Sequence, residues 1–372
     1  MTIKRNYYPI NKAQFKKFNL ALKNVLKSNI FINSTSVKNF ENKFSEFHKT
    51  KYLTLGFSSA STSISALVDF VCKKNFKSEI IIPAFSPIPV LMAILNFGYK
   101  VKFVDIDPET LLMDLSKVRK AITKNTKIIM PVHLFGNVVD IKSLKKIINK
   151  DIYIIEDTSQ AHFSKINDNF AGLQGDASVF SFYPTKNLWA IGDAGALMIK
   201  NKKSHMALKA YRNYGLHPYE DRFLNFGNNF RMDEFQAEVL LLNLKTIHNL
   251  NNSKLRLSNY YKKKLNNPPI NFQNIPNNVV SNFHVFSIIV NENIRDSLYN
   301  FLKKKKIDAI IYYPKPLPFI LHKTNDKKKL IEMFPNSYKI SKEIISLPIS
   351  AHLKNTDIDF VCDQIRAFFS KI

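Results

Sequence analysis

Residues 152–157 read IYIIED and residues 181–197 read SFYPTKNLWAIGDAGAL, and these two stretches decide the interpretation of the fold. The first is an apolar run that ends in the carboxylates of Glu156 and Asp157. The second begins as another apolar run and carries Lys186 a few residues later. Short apolar runs with polar ends are typical of buried strands. An acid and a lysine are therefore expected just past two strand ends, at the edge where parallel sheets meet ligands.

Further apolar runs alternate with helical patterns on both sides of these stretches. Buried strands are predicted at residues 52–55, 79–82, 101–104, 127–131, 152–155, 177–182 and 194–199. Helices are predicted at residues 63–74, 89–97, 115–121 and 141–149. Alternation at this spacing indicates an α/β domain with a mostly parallel sheet and right-handed crossovers.

The pattern changes after residue 225. Helices are predicted at residues 232–250 and onward to about 265, and a loop rich in Pro and Asn at residues 266–278. A strand at 283–290, a helix at 293–306, a strand at 308–313 and a helix at 356–369 complete a smaller α+β domain. The first 30 residues are predicted to be helical and to pack against it. We therefore expect a large domain at residues 1–250 and a small one at 251–372.

The charge balance raises the question of nucleic-acid binding. The net charge is +26 over 372 residues, from 47 lysines and eight arginines against 29 acidic residues. Nucleic-acid proteins concentrate arginine with aromatic residues in one patch, whereas these lysines are spread along the whole chain. Solvated surface lysines are the favoured interpretation. A basic regulatory or nucleic-acid-binding protein is kept as an alternative.

Membrane, secreted and metal-binding classes receive no support from the sequence. The N-terminus is too polar for a signal peptide. The long uncharged run at residues 80–97 is interrupted by prolines, which suits a strand, a turn and a helix better than a membrane span. Cys72 and Cys362 are the only cysteines and form no metal motif. A cytoplasmic protein without a metal or a membrane partner is expected.

An acid and a lysine placed in this way suit pyridoxal phosphate chemistry. The lysine must lose its proton to attack the aldehyde of the cofactor, and burial lowers its pKa. The acid keeps the pyridine nitrogen protonated, so that the ring accepts electrons from the substrate. A strand-terminal acid is common in α/β folds and lysines are abundant here. Neither residue alone would carry the interpretation.

Several motifs in the same order resemble the DegT/DnrJ/StrS family of pyridoxal-phosphate-dependent sugar aminotransferases. The resemblance extends over nearly the whole chain and implies the fold-type I architecture of aspartate aminotransferase. It is carried by VKNFENKFSEFHKTKY (37–52), VKFVDIDP (101–108), PVHLFG (131–136), EDTSQAH (156–162), SFYPTKNL (181–188), GNNFRMDEFQAEVLLLNL (227–244), YYPKPL (312–317) and SLPIS (346–350).

The resemblance implies a role for each matching residue near the cofactor. Lys186 would form the Schiff base with pyridoxal phosphate and later move the proton. Asp157 would pair with the pyridine nitrogen and Gln160 with the phenolic oxygen. The phosphate would be held at the start of a helix, where free amides and the helix dipole favour an anion, by Ser59, Ala60 and Ser61 together with Ser181.

Three further positions concern the partner subunit and the substrate. The resemblance implies that Asn229 reaches the phosphate in the neighbouring subunit, and therefore a homodimer with shared active sites. His162 either flanks the cofactor or packs in the core. Tyr313 lies where the small domain of the family approaches the substrate, and core packing is the other interpretation.

The sequence departs from the family pattern at three places. Ala60 replaces a glycine before the phosphate helix, and its methyl group could crowd the phosphate. Pro87 occupies the position of an aromatic residue that stacks on the pyridine ring, so Phe85 is the candidate for stacking. A glycine expected before Val37 is absent from residues 33–36, which read NSTS.

The implied reaction is transfer of an amino group from glutamate to a nucleotide-linked 3- or 4-keto-6-deoxy sugar for surface polysaccharide. A smaller keto-cyclitol or phosphorylated ketone is an alternative acceptor. Relatives that dehydrate a keto sugar have histidine in place of the lysine, so Lys186 disfavours that activity. The loops at residues 213–225 and 315–326 are expected to determine the sugar.

Overall fold

The computed structural model describes residues 2–4, 10–321 and 327–371. Part of the predicted specificity loop, residues 322–326, therefore lies outside the described residues. The strands are β1 Leu53–Phe57, β2 Glu79–Pro83, β3 Lys100–Val104, β4 Thr126–Ile129, β5 Tyr153–Asp157, β6 Lys165–Ile166, β7 Asn169–Phe170, β8 Ala177–Ser181, β9 Gly195–Ile199, β10 Asn271–Phe272, β11 Val279–Val280, β12 Phe286–Ile289 and β13 Ile344–Leu347.

Helices alternate with the strands of the first half and dominate the second. They are α1 Lys12–Ser28, α2 Thr35–Phe47, α3 Ala60–Cys72, α4 Ile88–Leu95, α5 Leu115–Ala121, α6 Ile141–Ile147, α7 Lys202–Tyr211, α8 Glu234–Leu244, α9 Ile247–Lys264, α10 Glu292–Lys304, α11 Pro318–Leu321, α12 Lys327–Met333, α13 Pro335–Glu343 and α14 Asn355–Phe369. A short 3₁₀ helix covers Leu134–Gly136.

A seven-stranded sheet forms the centre of the large domain, in the order β1-β9-β8-β5-β4-β2-β3. The strands from β8 through β5, β4 and β2 to β3 pair in parallel, and β9 runs antiparallel to both of its neighbours, β1 and β8. Strands buried on both faces explain the nearly continuous apolar runs in the sequence. The carboxyl ends of β5 and β8 lie side by side, because Asp157 pairs with Val179. The α/β prediction with a mostly parallel sheet is confirmed.

A second core lies in the C-terminal part of the chain. It forms on the three-stranded sheet β10-β12-β13 and includes Tyr261 of α9, Leu298 of α10 and Ile365 of α14. Helix α9 begins at Ile247, which packs with the apolar cluster around α2, β8 and α8. The predicted boundary after residue 250 therefore falls inside one continuous helix, and it stays a prediction.

Two predicted elements differ from the structure. The helix predicted at 232–250 is two helices, because the side chain of Asp233 caps α8 and the chain turns at residues 245–246 before α9. The strand predicted at 308–313 is reduced to one bridge between Ile310 and Ser346. Beyond this bridge the chain turns toward a cavity lined by Tyr312 and Tyr313.

The N-terminal helix packs on the large domain, so the prediction that it packs against the small domain is wrong. Helix α1 contacts α8, and its Phe18 ring lies 5.8 Å from the Trp189 ring between centroids. Ahead of the helix, Ile3 does contact the small domain, where it forms a parallel bridge with Ile307. Residues 1 and 5–9 of this prediction lie outside the described residues. No helix in the described ranges is long and apolar enough to cross a membrane.

Candidate active site

A cavity of about 350 Å³ opens at the carboxyl ends of β5 and β8. This volume lies in the range of small-molecule sites, about 300–1,000 Å³. Eight residues predicted from the sequence line it together: Ser59, Ala60, Ser61, Asp157, Gln160, Ser181, Lys186 and Tyr313. The fold therefore brings into one place residues that are up to 254 positions apart in the chain.

Asp157 is the last residue of β5 and is 2% exposed. Its Oδ1 accepts a hydrogen bond of 3.0 Å from the amide of Ser159, which fixes the carboxylate at the floor of the cavity. The strand itself continues by pairing with Val132, and the amide of His133 donates to the Asp157 carbonyl. This end of the sheet is consequently a rigid support for a buried anionic group.

Lys186 lies in the turn that follows β8, where its amide donates to the carbonyl of Tyr183 at 2.8 Å. The side chain lines the cavity but is enclosed by protein. Burial lowers the pKa of the Lys186 ammonium to about 8, although the nearby Asp157 carboxylate partly opposes this shift. An amine of lowered pKa releases its proton near neutral pH, which makes it a nucleophile and a proton carrier.

The amino end of α3 forms another wall of the cavity. Ser59 caps this helix, since its Oγ accepts from the amide of Thr62 and its own amide donates to Thr62 Oγ1. The amides of Ala60 and Ser61 belong to the first turn, so they have no carbonyl partner within the helix. Together with the Ser181 hydroxyl they form a site for an anion at a helix N-terminus.

Ala60 does not strain this helix start. It is the first residue of α3 and has no positive φ, so the backbone here does not require glycine. Close packing is achieved instead by Gly195 at the start of β9, where an added Cβ would overlap the backbone of Ser59 and Ala60. The glycine expected before Val37 is a second departure from the family pattern. In this segment Asn33 adopts φ 56°, a left-handed conformation that Asn tolerates better than most other non-glycine residues.

Gln160 connects the 3₁₀ helix at residues 134–136 with Tyr313 at the cavity. Its Oε1 accepts from the amide of Phe135 at 2.8 Å, so its Nε2 is directed to the Tyr313 hydroxyl at 3.0 Å. Burial raises the pKa of Tyr313, and the bond from Gln160 only partly opposes that effect. Tyr313 is therefore a neutral phenol that lines the cavity and can still donate its proton.

Glu156, beside Asp157 in the sequence, points to the other side of the sheet, where hydrogen bonds to neighbouring segments hold its carboxylate. Its carboxylate accepts from His133 Nε2 at 2.9 Å and from the amides of Gly172, Gln174 and Gly175. Burial disfavours its charge, but the bonds from His133, Gly175 and Gly172 outweigh burial and lower the pKa of Glu156. The two adjacent acids are thus separated by the alternation of a strand, one toward the cavity and one toward the supporting loop.

Phe85 does not occupy the predicted stacking position. It is 1% exposed, it is not among the residues that line the cavity, and its ring packs at 65° against Tyr313 with centroids 5.6 Å apart. Pro87 lines the cavity instead. The prediction that Phe85 binds the cofactor directly is therefore corrected to a packing role behind Tyr313.

His162 also lies outside the cavity lining. It is completely buried, and its ring lies 6.0 Å from Phe180 and 5.7 Å from Phe182 between centroids. Burial lowers the pKa of His162 to about 3, and the positive charge of Lys186 adds to this effect. Of the two interpretations of His162, flanking the cofactor or packing in the core, its position agrees with core packing, and its assignment to the substrate site is corrected.

Asn229 lies on the surface and does not line the cavity of its own chain. Its Oδ1 accepts from Arg231 Nε at 3.0 Å, and its backbone pairs with Asn213 in an antiparallel bridge. The sequence reasoning missed several residues that line the cavity: Pro87, Tyr183, Thr185, Asp193, His284 and Tyr312. Of these, Tyr312 belongs to the YYPKPL motif, whereas His284 lies in a predicted strand with no signal of a functional role.

The seven-stranded sheet and the lysine–aspartate cavity define the fold-type I class of aminotransferases. Comparison with known proteins gives the family. The model of the DegT/DnrJ/EryC1/StrS aminotransferase family matches residues 13–366, and the chain belongs to this family. The recognition, the fold type and the aminotransferase class expected from the sequence are thereby confirmed.

Individual relatives are similar to this chain over nearly their full length. The chain is 32% identical to the dTDP-3-amino-3,6-dideoxy-alpha-D-galactopyranose transaminase of Aneurinibacillus thermoaerophilus, covering 96% of this chain and 97% of the relative. It is 30% identical to the pleiotropic regulatory protein of Geobacillus stearothermophilus, over 94% and 93%. The solved structure of DesV of S. venezuelae in complex with a ketimine intermediate superposes with a TM-score of 0.88, at 26% identity and over 97% and 96% of the two chains.

Proposed function

We propose that this protein is a pyridoxal-phosphate-dependent aminotransferase that moves an amino group from L-glutamate to a nucleotide-linked 3- or 4-keto-6-deoxy sugar, for surface polysaccharide. The observation that carries this proposal is the convergence of Lys186, Asp157 and the amino end of α3 on one cavity. These three features supply the amine, the buried carboxylate and the phosphate site that the cofactor requires.

The residues present fit pyridoxal phosphate. The phosphate would be held by the first-turn amides of α3 and the hydroxyls of Ser59, Ser61 and Ser181, the pyridine nitrogen by Asp157, and the phenolic oxygen by Gln160. Gly195 supports this fit, because any side chain there would displace the phosphate wall of the cavity. When bound, the cofactor supplies an aldehyde and a ring that accepts electrons.

Lys186 would act as the proton carrier of the reaction. With a pKa of about 8, its Nζ is present in both protonation states near neutral pH. A group of this kind is effective as a general base and as a general acid in successive steps. The nearby Asp157 carboxylate favours the protonated form of Lys186, since it raises the pKa of this amine against the effect of burial.

The choice of a sugar acceptor rests on the relatives. Their printed names include transaminases of dTDP-linked 3-amino and 4-amino sugars, a UDP-linked sugar 3-aminotransferase and a GDP-perosamine synthase, so the nucleotide and the aminated carbon vary among the relatives. A neutral phenol at Tyr313 and several hydroxyls in the cavity suit a polyhydroxylated acceptor.

A homodimer with shared active sites and a cytoplasmic location are part of the same proposal. Asn229 is exposed and could reach a neighbouring subunit. In the same loop, Phe223 and Phe226 are 72% and 84% exposed, an apolar surface that a second copy would cover. The two buried free thiols of Cys72 and Cys362 suit a reducing compartment.

The test separates the two halves of the reaction. The protein is loaded with pyridoxal phosphate, and formation of 2-oxoglutarate from glutamate is measured in a single turnover. We then compare the rates at which the aminated enzyme transfers its amino group to different acceptors. The acceptors are dTDP-, UDP- and GDP-linked keto sugars, a keto-cyclitol and a phosphorylated ketone. Turnover only with a nucleotide-linked sugar supports the proposal. Turnover only with a small ketone contradicts the proposed sugar acceptor and identifies the small ketone as the acceptor.

Two variants identify the amine. Lys186→Ala is expected to abolish both half-reactions, and borohydride reduction of the wild-type enzyme is expected to fix the cofactor to Lys186, as read by peptide mass spectrometry. Lys203→Ala removes an exposed lysine of α7 and serves as the control. Activity in Lys186→Ala, or a protein that takes up no cofactor and binds DNA in a salt-dependent manner, would contradict the proposal.

A further inference from the structure

A buried network of polar side chains lies directly behind the turn that carries Lys186. Asn187 follows Lys186 in the sequence and is 2% exposed. Residues 182–194, between β8 and β9, form neither a helix nor a strand. A segment without regular pairing keeps a precise position only where side chains anchor it to the surrounding elements. The contacts of the Asn187 side chain therefore bear on the position of the lysine before it.

The Asn187 side chain uses both ends of its amide. Its Nδ2 donates to the backbone carbonyl of Asn282 at 2.9 Å and to Asn251 Oδ1 at 2.8 Å. Because a backbone carbonyl can only accept, the first contact identifies Nδ2 and with it the opposite atom. That atom, Oδ1, accepts from Lys254 Nζ at 2.9 Å. Asn187 is thus anchored to α9, which carries Asn251 and Lys254, and to the segment before β12.

Two of these partners also hold the loop that follows β5. Asn251 Nδ2 donates to the His162 carbonyl at 2.9 Å, and Asn282 Nδ2 donates to the same carbonyl at 3.1 Å. This loop begins directly after Asp157, the last residue of β5. The network therefore connects the turn that carries the lysine with the loop next to the buried carboxylate.

Lys254 is a costly member of this network. It is 1% exposed, and no acidic side chain lies within ion-pair distance of it among the described residues. Besides the contact with Asn187, its Nζ lies 3.5 Å from the His284 carbonyl oxygen. A buried amine without a carboxylate destabilises the fold. Its position beside a reactive site indicates a role in that site.

We propose that Asn187 is a positioning residue that holds the Lys186 amine in its place relative to Asp157, and that Lys254 acts on this amine only through Asn187. This inference rests on the proposed function, in which Lys186 moves the proton. Proton transfer requires the amine within hydrogen-bond reach of the reacting atom. A displacement of the turn by about 1 Å is therefore enough to slow the reaction strongly.

The first test measures the pKa of Lys186 in the apoenzyme and needs no cofactor. The protein is labelled briefly with acetic anhydride between about pH 6 and pH 11, and labelling of Lys186 is quantified by peptide mass spectrometry. Burial lowers the pKa of Lys186 and is the larger of the two influences on it. Because Asn187→Leu removes the anchor of the turn, we expect its labelling midpoint to rise by about one pH unit. Asn252→Leu, at an exposed position of α9, is the matched control.

Asn187→Leu alters no charge, so a shifted midpoint reports a displaced amine. His162 stays in place behind the cavity, and the other titratable groups that line the cavity are also unchanged: Asp157, Tyr183, Asp193, His284, Tyr312 and Tyr313. Circular dichroism checks that the variant is folded, and Asn187→Ala replaces it if leucine prevents folding. A midpoint within about 0.2 pH unit of the wild type, or a lower one, overturns the inference.

A double-mutant cycle tests the part assigned to Lys254. Lys254→Met removes a positive charge as well as a donor, and an effect of this charge across space would persist in the Asn187→Leu protein. We expect Lys254→Met to raise the labelling midpoint in the wild-type protein and to add less than about a third of that shift in Asn187→Leu. Lys263→Met, at an exposed position of the same helix, is the control. No shift in the wild-type protein, or equal shifts in both, overturns the inference.

A single-turnover measurement connects the position of Lys186 with the proposed reaction. With pyridoxal phosphate bound, Asn187→Leu is expected to form 2-oxoglutarate from glutamate at least about tenfold more slowly. The glutamate concentration that gives the half-maximal rate should change much less, because binding does not require the proton carrier. An unchanged rate overturns the inference. Absence of 2-oxoglutarate from the wild-type enzyme would instead contradict the proposed function, while the labelling profiles still decide whether Asn187 positions Lys186.

Discussion

Gly195 lies against Ser59 so closely that a Cβ on the glycine would overlap the Ser59 carbonyl carbon. Gly195, the first residue of β9, thereby sets the position of the amino end of α3, which forms the expected phosphate site. In Gly195→Ala the helix start must shift, so we expect pyridoxal phosphate to bind at least tenfold more weakly and the melting temperature to fall. Cofactor titration and calorimetry measure the two effects.

Gly192→Ala is the matched control for this prediction. A Cβ at Gly192 meets the amide end of the Gln236 side chain at 3.1 Å, which can move, and its three nearest atoms all belong to this side chain. Its cofactor affinity should stay within about threefold of wild type. If both variants lose affinity equally, the contact between Gly195 and Ser59 does not position the phosphate site.

Capture of the cofactor by the apoenzyme should depend on pH through Lys186. Since burial lowers the pKa of Lys186 to about 8, the neutral amine increases as the pH rises toward 8 and becomes dominant above it. The rate of cofactor uptake, followed by its visible absorbance, should therefore rise from pH 6 and level off above about pH 8. A rate that still climbs at pH 10, as for an ordinary lysine, would contradict the lowered pKa.

Asp157→Asn tests the opposing charge at the same site. The Asp157 carboxylate raises the pKa of Lys186, so its removal should move the midpoint of the uptake profile to lower pH. The same variant should also abolish transamination, because an amide does not keep the pyridine nitrogen protonated. An unchanged midpoint would mean that the two residues do not interact electrostatically.

Lys254 should make the stability of the protein depend on pH. Burial lowers its pKa from 10.5 to about 7, so the unfolded chain binds more protons than the folded protein between these values. The wild-type free energy of unfolding should therefore rise with pH relative to Lys254→Met, by on the order of 2 kcal/mol between pH 7 and pH 9. Urea unfolding at several pH values measures this difference, with Lys203→Met as the exposed control. A pH-independent difference would contradict it.

Complementation between inactive subunits tests the shared site. Lys186→Ala lacks the amine, and Asn229→Asp places a negative charge where the partner's cofactor phosphate would bind. A mixed dimer has one site with both defects and one site with neither. After unfolding and refolding an equal mixture, we expect about a quarter of the wild-type activity, because half of the dimers are mixed. No recovery would place Asn229 outside the partner's site.

The chemistry at strand ends could be predicted from the sequence because it depends on local patterns. Asp157 ends an apolar run and Lys186 follows another, and parallel pairing brings both to one edge. The direction of a side chain beyond a strand is set by tertiary packing. Phe85 and His162 therefore lie in the core, although both come from segments next to the cavity.

Residues that reach the site from the small domain were harder to predict. Ile310 forms a single bridge before the chain turns inward, so the predicted strand gave no indication that Tyr312 would line the cavity. His284 carries no local signal, because its place at the cavity depends on tertiary contacts such as that with Asn187, which is distant in sequence. Asn33 shows the reverse case, in which an expected glycine is replaced without loss of the left-handed backbone.

Helix α9 anchors at one end in the apolar cluster of Ile247 and further along in that of Leu257 and Tyr261. A gene divided after codon 250 would cut this helix in its first turn. The second fragment would then lack Ile247 and its packing against the first apolar cluster. The two halves of the polypeptide are consequently expected to fail as separately expressed fragments. Chimeras that exchange small domains between relatives should place their junctions after α9, not before it.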